Sequence, residues 1–390
     1  MMRKLLGRRL HRPEALGAIM RDLVGYRGPV LETRVHLREA AQWLLRAQAA
    51  TPDDGLSGGY FFGEGWIASY PETTGYAIPT LLGYARLVGD HEVGKRALAM
   101  AEWVLSVQHA SGGIPGHFVD QAHPPVVFNT GQVIFGLLAA YEAGGDRRFL
   151  EGARRAGRWL ADIQDDDGAW RKFDYRDALH VYNTRTAWAL VELGVLSGES
   201  EWVTAGERNL DWALTQQEPS AWFRHSAFGP GEDPFLHTIA YTTQGLLEAG
   251  LRLQRSDYVS SATRACRAVL AHTDRAGFIS ATFGPSWRPT ARYSCLTGNA
   301  QIAAQWFRLH DVHGDREFLE GGQRACRYLK RLQNCSIKNP NIRGAIKASQ
   351  PIWGRYLFGS YPNWATKFYM DALMMEEAAL TGDTRCIRCW

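Results

Sequence analysis

Residues 128–164 read FNTGQVIFGLLAAYEAGGDRRFLEGARRAGRWLADIQ, and this stretch decides the fold. Its first part, up to Tyr141, is apolar on nearly every side, as in a helix that is buried all round. The second part, after Gly145-Asp146, has apolar residues at steps of three and four, which is typical of an amphipathic helix. The stretch therefore predicts a buried helix followed, across a short turn, by a half-exposed one.

The same two-helix unit recurs along the chain. Its turn is marked at Gly89-Asp90, Gly145-Asp146, Gly198-Glu199, Ser256-Asp257, Gly314-Asp315 and Gly382-Asp383. A second mark, an aromatic residue five positions before a Gln, occurs at Trp43/Gln48, Trp103/Gln108, Trp159/Gln164, Trp212/Gln217 and Tyr328/Gln333. Periodic marks of this kind indicate an array of supersecondary units. Six units predict an all-α fold, an (α/α)6 toroid of six outer/inner helix pairs.

The repeat also predicts where each helix begins. We expect outer helices from about residues 36, 92, 147, 200, 256 and 315, and inner helices from about 73, 129, 183, 237, 297 and 363. The links from outer to inner helices are long, and such loops in a compact domain are usually functional. All six links reach the rim where the inner helices begin. We expect the toroid to span residues 31–390, after a basic N-terminal extension over residues 1–30.

Composition and charge exclude several classes of function. The 390 residues carry 44 Lys and Arg against 40 Asp and Glu, a net charge of +4 that is too small for binding nucleic acid by bulk charge. No stretch is long and apolar enough to span a membrane, and no apolar run follows the basic residues 1–9 as in a secretory signal. We expect a cytoplasmic protein whose basic N terminus is either solvated or in peripheral contact with a membrane.

The cysteines do not complete a metal motif. Cys386 and Cys389 have the spacing of a zinc pair, but no second pair and no nearby His accompanies them. We therefore expect neither a metal nor a cofactor.

Polar and aromatic side chains stand at the starts of all six inner helices. Unpaired polar groups along a buried axis would be unfavourable, so a polar cavity is the better interpretation. Sugar recognition combines neutral hydrogen-bonding groups with flat apolar surfaces, and this set of residues provides both. The predicted glycan-binding residues are Trp66, Tyr70, Asn129, Gln132, Asn183, Gln244, Asn299, Asn363, Trp364 and Lys367.

The candidate catalytic residues belong to inner helices one, three and four. They are Glu72, Tyr182, Arg185, His237 and Tyr241. Arg185 is expected to clamp a carboxylate or hydroxyl with its planar fork. Tyr241 or His237 would move a proton, and Glu72 would act as an acid or hold the sugar.

Two chemistries suit these residues almost equally. Proton abstraction next to a uronate carboxyl, as in a lyase or epimerase, is slightly favoured by the Tyr, His and Arg residues. A glycoside hydrolase normally needs two carboxylates. The second would come from a rim loop, at Glu64, Asp174, Asp177, Glu232 or Asp233.

Three parts of the sequence resemble known toroid families. Trp159 with residues 164–170 resembles the Gln-Trp motif of squalene-hopene and related cyclases, so residues 36–381 resemble the terpenoid-cyclase and protein-prenyltransferase superfamily. Residues 70–80 resemble bacterial Vps-type proteins of extracellular-polysaccharide biosynthesis. Residues 129–132, Asn-Thr-Gly-Gln, are similar to glucuronyl C5-epimerase catalytic domains. These resemblances imply a toroid, and the last two imply a glycan partner.

Three functions stay open at this point. The first is a metal-free lyase or epimerase, or a glycoside hydrolase, that acts on an oligo- or polysaccharide. An acidic sugar is expected because helix N-termini that point into the cavity add positive potential. The second is a glycan-binding or assembly protein without catalysis. The third is a terpene-type cyclase, which requires an apolar cavity.

Overall fold

The computed structural model describes residues 13–382, apart from the side chains of Glu14 and Asp177. After α1 (Pro13–Leu23), the outer helices are α2 (Thr33–Ala49), α4 (His91–Val107), α6 (Arg147–Asp162), α8 (Ser200–Thr215), α10 (Ser256–Ala271) and α12 (Arg316–Leu332). The inner helices are α3 (Pro71–Val88), α5 (Val127–Gly144), α7 (Thr184–Ser197), α9 (Leu236–Leu253), α11 (Leu296–His313) and α13 (Asn363–Thr381). The predicted (α/α)6 toroid is confirmed. The largest error in a helix start is at α2, which begins at Thr33.

The inner helices form a closed ring. Each inner helix packs against the next one, and α13 returns to pack against both α3 and α2. A small antiparallel sheet joins the same two ends of the chain, because β1 (Gly59–Phe61) pairs with both β2 (Gly65–Trp66) and β7 (Ser360–Pro362). The first and last repeats are therefore connected at the rim as well as through their helices.

The long links carry short strands and 3-10 turns that the expected all-helical repeat does not include. β3 (Phe283–Gly284) pairs with β4 (Arg288–Pro289), and β5 (Ser294–Cys295) pairs with β6 (Ser349–Gln350). The 3-10 turns are Tyr175–Asp177, Val181–Asn183 and Pro285–Trp287. Backbone pairing therefore orders much of the rim on which the inner helices begin.

A glutamine at the end of an outer helix ties that helix to the next one. Gln164 donates from Nε2 to the carbonyl of Gly168 in its own loop and to the carbonyl of Ala205 on α8, both at 2.9 Å. The same pair of bonds recurs at Gln48, Gln108, Gln217 and Gln333. These bonds satisfy backbone carbonyls at the helix junctions. Trp43, Trp103, Trp159 and Trp212 of the same motif are buried on outer helices, as expected.

The Gly-Asp turns separate inner from outer helices. Gly145 has a φ of 72°, a left-handed conformation that favours glycine at a helix C-terminus. Asp146 then accepts a hydrogen bond from the backbone N–H of Arg148 and caps α6. The fourth turn differs from the expectation, because its left-handed residue is Gln254. Ser256-Asp257 therefore lies within α10 and not in the turn.

The described part of the N-terminal extension packs against the toroid. Ala15 of α1 is buried, and Asp22 forms an ion pair with Lys347 at 2.5 Å.

Cys386 and Cys389 lie outside the described residues. Between residues 13 and 382, no helix has the length and apolar character needed to cross a membrane.

Candidate active site

A cavity of about 260 Å³ opens at the rim where the inner helices begin. Its walls come from α3, α5, α9, α13 and the links that precede inner helices. Of the residues expected at the site, those that line this cavity are Tyr70, Glu72, Asn129, Tyr182, His237, Tyr241 and Trp364. The convergence of the inner-helix starts therefore brings four of the five catalytic candidates to one pocket.

Glu72 lies in the first turn of α3 and is partly exposed to the cavity. Its Oε2 accepts a 2.6 Å hydrogen bond from the hydroxyl of Tyr70. Burial raises the pKa of Glu72 to about 7, although the Tyr70 bond and the charge of Arg185 both act to lower it. A carboxyl group with a pKa near neutrality can accept or donate a proton at pH 7.

His237 is enclosed by aromatic rings and lines the same cavity. The ring centroids of Phe228, Phe235 and Tyr356 lie 5.2, 5.9 and 4.9 Å from that of the imidazole. Neither imidazole nitrogen has a hydrogen-bond partner among the described residues. Burial lowers the pKa of His237 to about 3, so the ring is neutral at pH 7. Because an unpaired buried polar group is unfavourable, this ring points to a ligand that supplies the missing partners.

Glu72 and His237 belong to opposite inner helices. α3 and α9 are the first and fourth of six helices in the ring, so they face each other across its axis. Tyr241 lies one turn after His237 on α9, and the charge of Glu72 adds to burial in raising the pKa of Tyr241. A ligand in the cavity would therefore have a carboxyl group on one side and an imidazole and a phenol on the other.

Aromatic side chains form most of the remaining wall. The ring of Phe128 lies 5.4 Å from that of Tyr182 and 4.8 Å from that of Tyr241, measured between centroids. Two further lining residues are joined, because Nε1 of Trp364 donates a 2.8 Å hydrogen bond to the hydroxyl of Tyr356. Rings with an apolar face and a polar edge suit contact with a sugar.

Arg185 lies beneath the cavity, whereas the sequence predicts that it lies in the cavity. Its Nε donates a 2.6 Å hydrogen bond to Oε1 of Gln132, and its Nη1 donates to Oε1 of Gln244. Four aromatic rings surround the guanidinium, with centroids 5.1 to 5.6 Å away. Gln132 and Gln244 lie one to two turns inside α5 and α9, so their amides hold the arginine below the rim. These three residues form a polar cluster in the core, which we call the Arg185 cluster.

Lys367 is also a core residue and does not line the cavity. Its Nζ lies 2.6 Å from Oδ2 of Asp371, one turn later on α13, and both side chains are almost completely buried. The hydroxyl of Thr80 donates a 2.7 Å hydrogen bond to the other oxygen of Asp371. A buried ion pair with satisfied oxygens explains why a lysine occupies this position without contacting a ligand.

Three of the expected sugar-binding amides hold the links of the rim in place. The side chains of Asn183, Asn299 and Asn363 are buried. Their acceptors are Oδ2 of Asp174 at 2.5 Å, the carbonyl of Gly277 at 3.3 Å and the carbonyl of Ser57 at 2.7 Å, respectively. These amides shape the walls from behind, because they are committed to loop atoms and do not line the cavity.

Trp66 packs on the outside of the cavity wall. Its ring lies 5.3 Å from that of Trp43 and 5.6 Å from that of Tyr60, and its Nε1 donates a 3.1 Å hydrogen bond to Oδ1 of Asn341. The side chain therefore joins the first and last links of the ring. A stacking role in the cavity does not fit this position.

Glu72 is the one carboxylate in the described lining of the cavity. Asp174 is buried against Asn183, and Glu232 pairs with Arg176 at 2.9 Å, where both side chains are half-exposed. Glu64 and Asp233 do not line the cavity either. Within the described part of the chain, the pair of carboxylates that most glycoside hydrolases use is therefore not assembled around this cavity.

Several lining residues are not among those predicted from the sequence. They include Tyr76, His117, Tyr175, Phe228, Tyr356 and Leu357. Tyr76 follows Glu72 by four positions on α3, so helical periodicity indicates that the two share a face. The others lie in the long links, where no periodicity shows which side chains turn inward.

A scan of family models and a search of curated proteins give no match to this chain. Its fold resembles that of an unsaturated glucuronyl hydrolase specific for heparin, with a TM-score of 0.73 and 14% identity over 90% of this chain and 98% of that chain. A sugar epimerase from a ruminal bacterium has a TM-score of 0.72 and 14% identity over 88% and 98% of the two chains. The cellobiose 2-epimerase of Bacillus thermoamylovorans has a TM-score of 0.69 and 10% identity over 93% and 100%.

Identities this low show a shared fold and nothing finer. The fold that these structures share with this chain is the toroid that the resemblances of the sequence imply. They do not support the finer resemblances to terpenoid cyclases or to Vps-type proteins.

Proposed function

We propose that this protein is a carbohydrate-active enzyme that exchanges a proton on a sugar carbon in the rim cavity, as an epimerase does. The observation that carries the proposal is the placement of Glu72, with a pKa of about 7, opposite His237 and Tyr241. The aromatic walls supply surfaces for the sugar ring. The toroid epimerases and hydrolase named above support the same substrate class.

The reaction begins with the proton on the carbon next to a sugar carbonyl. Glu72 removes this proton, and the electron pair moves onto the carbonyl oxygen to give an enediolate. His237 donates a hydrogen bond to that oxygen, as a neutral imidazole is able to do. Return of a proton from Tyr241, on the opposite wall, gives the epimer. Glu72 then releases its proton to solvent, and Tyr241 regains one.

The substrate is a neutral sugar in this proposal, unlike the acidic sugar expected from the sequence. Arg185, the expected carboxylate clamp, is engaged with Gln132 and Gln244 below the cavity. Glu72 is negatively charged above its pKa of about 7 and would repel a sugar carboxylate. A neutral sugar carries no charge for Glu72 to repel.

The size of the cavity favours a small substrate. Its volume, about 260 Å³, lies below the roughly 300–1,000 Å³ of typical ligand pockets. A free mono- or disaccharide, or one end of a sugar chain, fits such a space better than the middle of a polymer. Through the resemblance of residues 70–80 to Vps-type proteins, we place this reaction in polysaccharide biosynthesis.

Glycan binding without turnover is the second candidate, because the aromatic walls alone suit a sugar. A screen of neutral and acidic mono-, di- and oligosaccharides separates the candidates, with products followed by nuclear magnetic resonance. We expect epimers from a neutral sugar with the wild type and none with Glu72→Gln. New reducing ends would indicate a hydrolase, unsaturated ends a lyase, and saturable binding without any product a binding protein.

A further inference from the structure

Exposed large apolar side chains are concentrated in one short segment of the described surface. Between residues 13 and 382, twelve large apolar side chains are exposed, and seven of them lie between residues 16 and 31. They are Leu16, Met20, Leu23, Val24, Tyr26, Val30 and Leu31. Single exposed apolar residues are ordinary on a protein surface, whereas a contiguous group marks an interaction surface.

One face of α1 is fixed to the toroid. Ala15 is buried, and Ile19 packs against the hydrophobic core. Asp22 forms the ion pair with Lys347 and accepts a 2.6 Å hydrogen bond from the backbone N–H of Ile352. The helix therefore lies along the body of the protein, and its other face is held outward.

The outward face carries larger apolar side chains than the face against the toroid. Leu16, Met20 and Leu23 follow at steps of four and three, so they form one stripe along α1. Their exposed fractions are 52%, 55% and 63%, and that of Val24 just after the helix is 71%. We call these four residues the α1 stripe. Burial of the stripe against a partner would remove a large apolar area from water.

The sequence next to the α1 stripe is basic. Five of the first twelve residues are Arg or Lys, and none is Asp or Glu. An apolar stripe beside clustered cations is the combination that binds a membrane surface, with apolar side chains at the acyl boundary and cations at anionic headgroups. A second copy of the chain fits less well, because a symmetric contact through this surface would bring two basic segments together.

We propose that the α1 stripe is a membrane-binding surface and that its partner is a bilayer rich in anionic lipid, to which the cations of the preceding sequence add electrostatic attraction. The proposal does not depend on the enzymatic function proposed above. The link that holds α1 through Lys347 also contributes Tyr356 to the cavity. Membrane contact at α1 would therefore hold the rim of the cavity near the lipid surface.

The test is cosedimentation of the full chain with large vesicles at low ionic strength. We expect strong binding to phosphatidylcholine vesicles that contain phosphatidylglycerol, and binding at least about 10-fold weaker to phosphatidylcholine alone. Binding should also fall steeply in high salt, because the headgroup attraction is screened. The basic segment is tested by Arg8→Ser, Arg9→Ser and Arg12→Ser in one protein, which should weaken binding to the anionic vesicles.

The apolar stripe is tested by Leu16→Ser, Met20→Ser and Leu23→Ser in one protein. The matched control replaces exposed apolar residues elsewhere, with Val88→Ser, Val195→Ser and Leu380→Ser in one protein. We expect at least a 10-fold loss of binding in the first and none in the second. Circular dichroism checks that both proteins are folded.

Two results would overturn the proposal. One is a wild type that does not bind anionic vesicles, or binds them equally with and without the α1 stripe. The other is a wild-type dimer, seen by light scattering, that the stripe substitutions convert to a monomer without any change in vesicle binding. That result would assign the stripe to a second copy of the chain.

Discussion

The hydroxyl of Tyr70 donates a 2.6 Å hydrogen bond to Oε2 of Glu72, and both residues line the rim cavity. The bond stabilises the carboxylate form, whereas burial favours the protonated form, and burial has the larger effect. The balance leaves the pKa of Glu72 at about 7. A proton-transfer group is most effective when its pKa lies near the working pH, so this pair of residues is the centre of the proposed chemistry.

Replacement of Glu72 by Gln should abolish turnover while the fold is retained. Gln keeps the shape and can accept the hydrogen bond from Tyr70, but it cannot carry a proton. We expect kcat to fall by about 100-fold or more, which is the scale of general acid–base catalysis. The control is Glu92→Gln, because Glu92 also lies in the first turn of a helix but is exposed and does not line the cavity. Equal activity in the two variants would remove Glu72 from the reaction.

The pH dependence of kcat/KM should report the titration of Glu72. If Glu72 is the base, activity should rise with pH through an apparent pKa of about 7. Tyr70→Phe removes a bond that favours the carboxylate, so this limb should move to higher pH. A profile that is flat between pH 5 and 8, or that Tyr70→Phe does not shift, would contradict the assignment.

The same titration should appear in the stability of the protein. Because the pKa of Glu72 is raised from 4.5 to about 7 on folding, the native state binds this proton more tightly than the unfolded chain does. The stabilisation is fully present below pH 4.5 and is lost as the pH rises through 7. We therefore expect the melting temperature to fall more over this range in the wild type than in Glu72→Gln. Parallel curves for the two proteins would show that Glu72 has an ordinary pKa.

Replacement of His237 by Phe should separate catalysis from stability. The neighbours of His237 are aromatic rings, and its nitrogens have no partners among the described residues. Phe fills the site without a buried unpaired polar group, so the melting temperature should stay the same or rise. Turnover should fall by about 10-fold or more, because the enediolate oxygen loses its donor. A destabilised variant with full activity would show that His237 is structural.

Replacement of Arg185 by Ala should reduce stability strongly. The substitution leaves the side-chain oxygens of Gln132 and Gln244 without their donor and opens a cavity in the core. We expect a loss of about 2–5 kcal/mol in the free energy of unfolding, measured by urea denaturation. An Arg185→Ala protein of unchanged stability that no longer binds sugar would restore the substrate clamp expected from the sequence.

The fold could be predicted because its signals are local and repeated. Residues such as Gly145-Asp146 and Trp159/Gln164 mark the same turn and the same helix end in successive units, so one error does not displace the others. Where a unit lacks the Gly-Asp pair, the predicted position of its turn is displaced. The left-handed residue of the turn before α10 is Gln254, two positions before the Ser256 that the repeat predicts.

The site could be predicted only in part, because the sequence does not show how deep a side chain lies. Glu72 is at the start of α3 and lines the cavity. Arg185 is near the start of α7, but its hydrogen bonds to Gln132 and Gln244 hold it below the cavity. Tyr356 lies in a link of about 30 residues without periodicity, so no pattern indicated that it turns inward.

The measurement that tests the central claim most directly is incubation of the wild type with a neutral sugar substrate in deuterated water. Proton exchange by Glu72 predicts one deuteron on the carbon next to the carbonyl, in step with formation of the epimer, and neither event in Glu72→Gln. Mass spectrometry and nuclear magnetic resonance read the two events on the same sample. An epimer without deuterium, or a product with a new reducing end and no deuterium on carbon, would contradict the account.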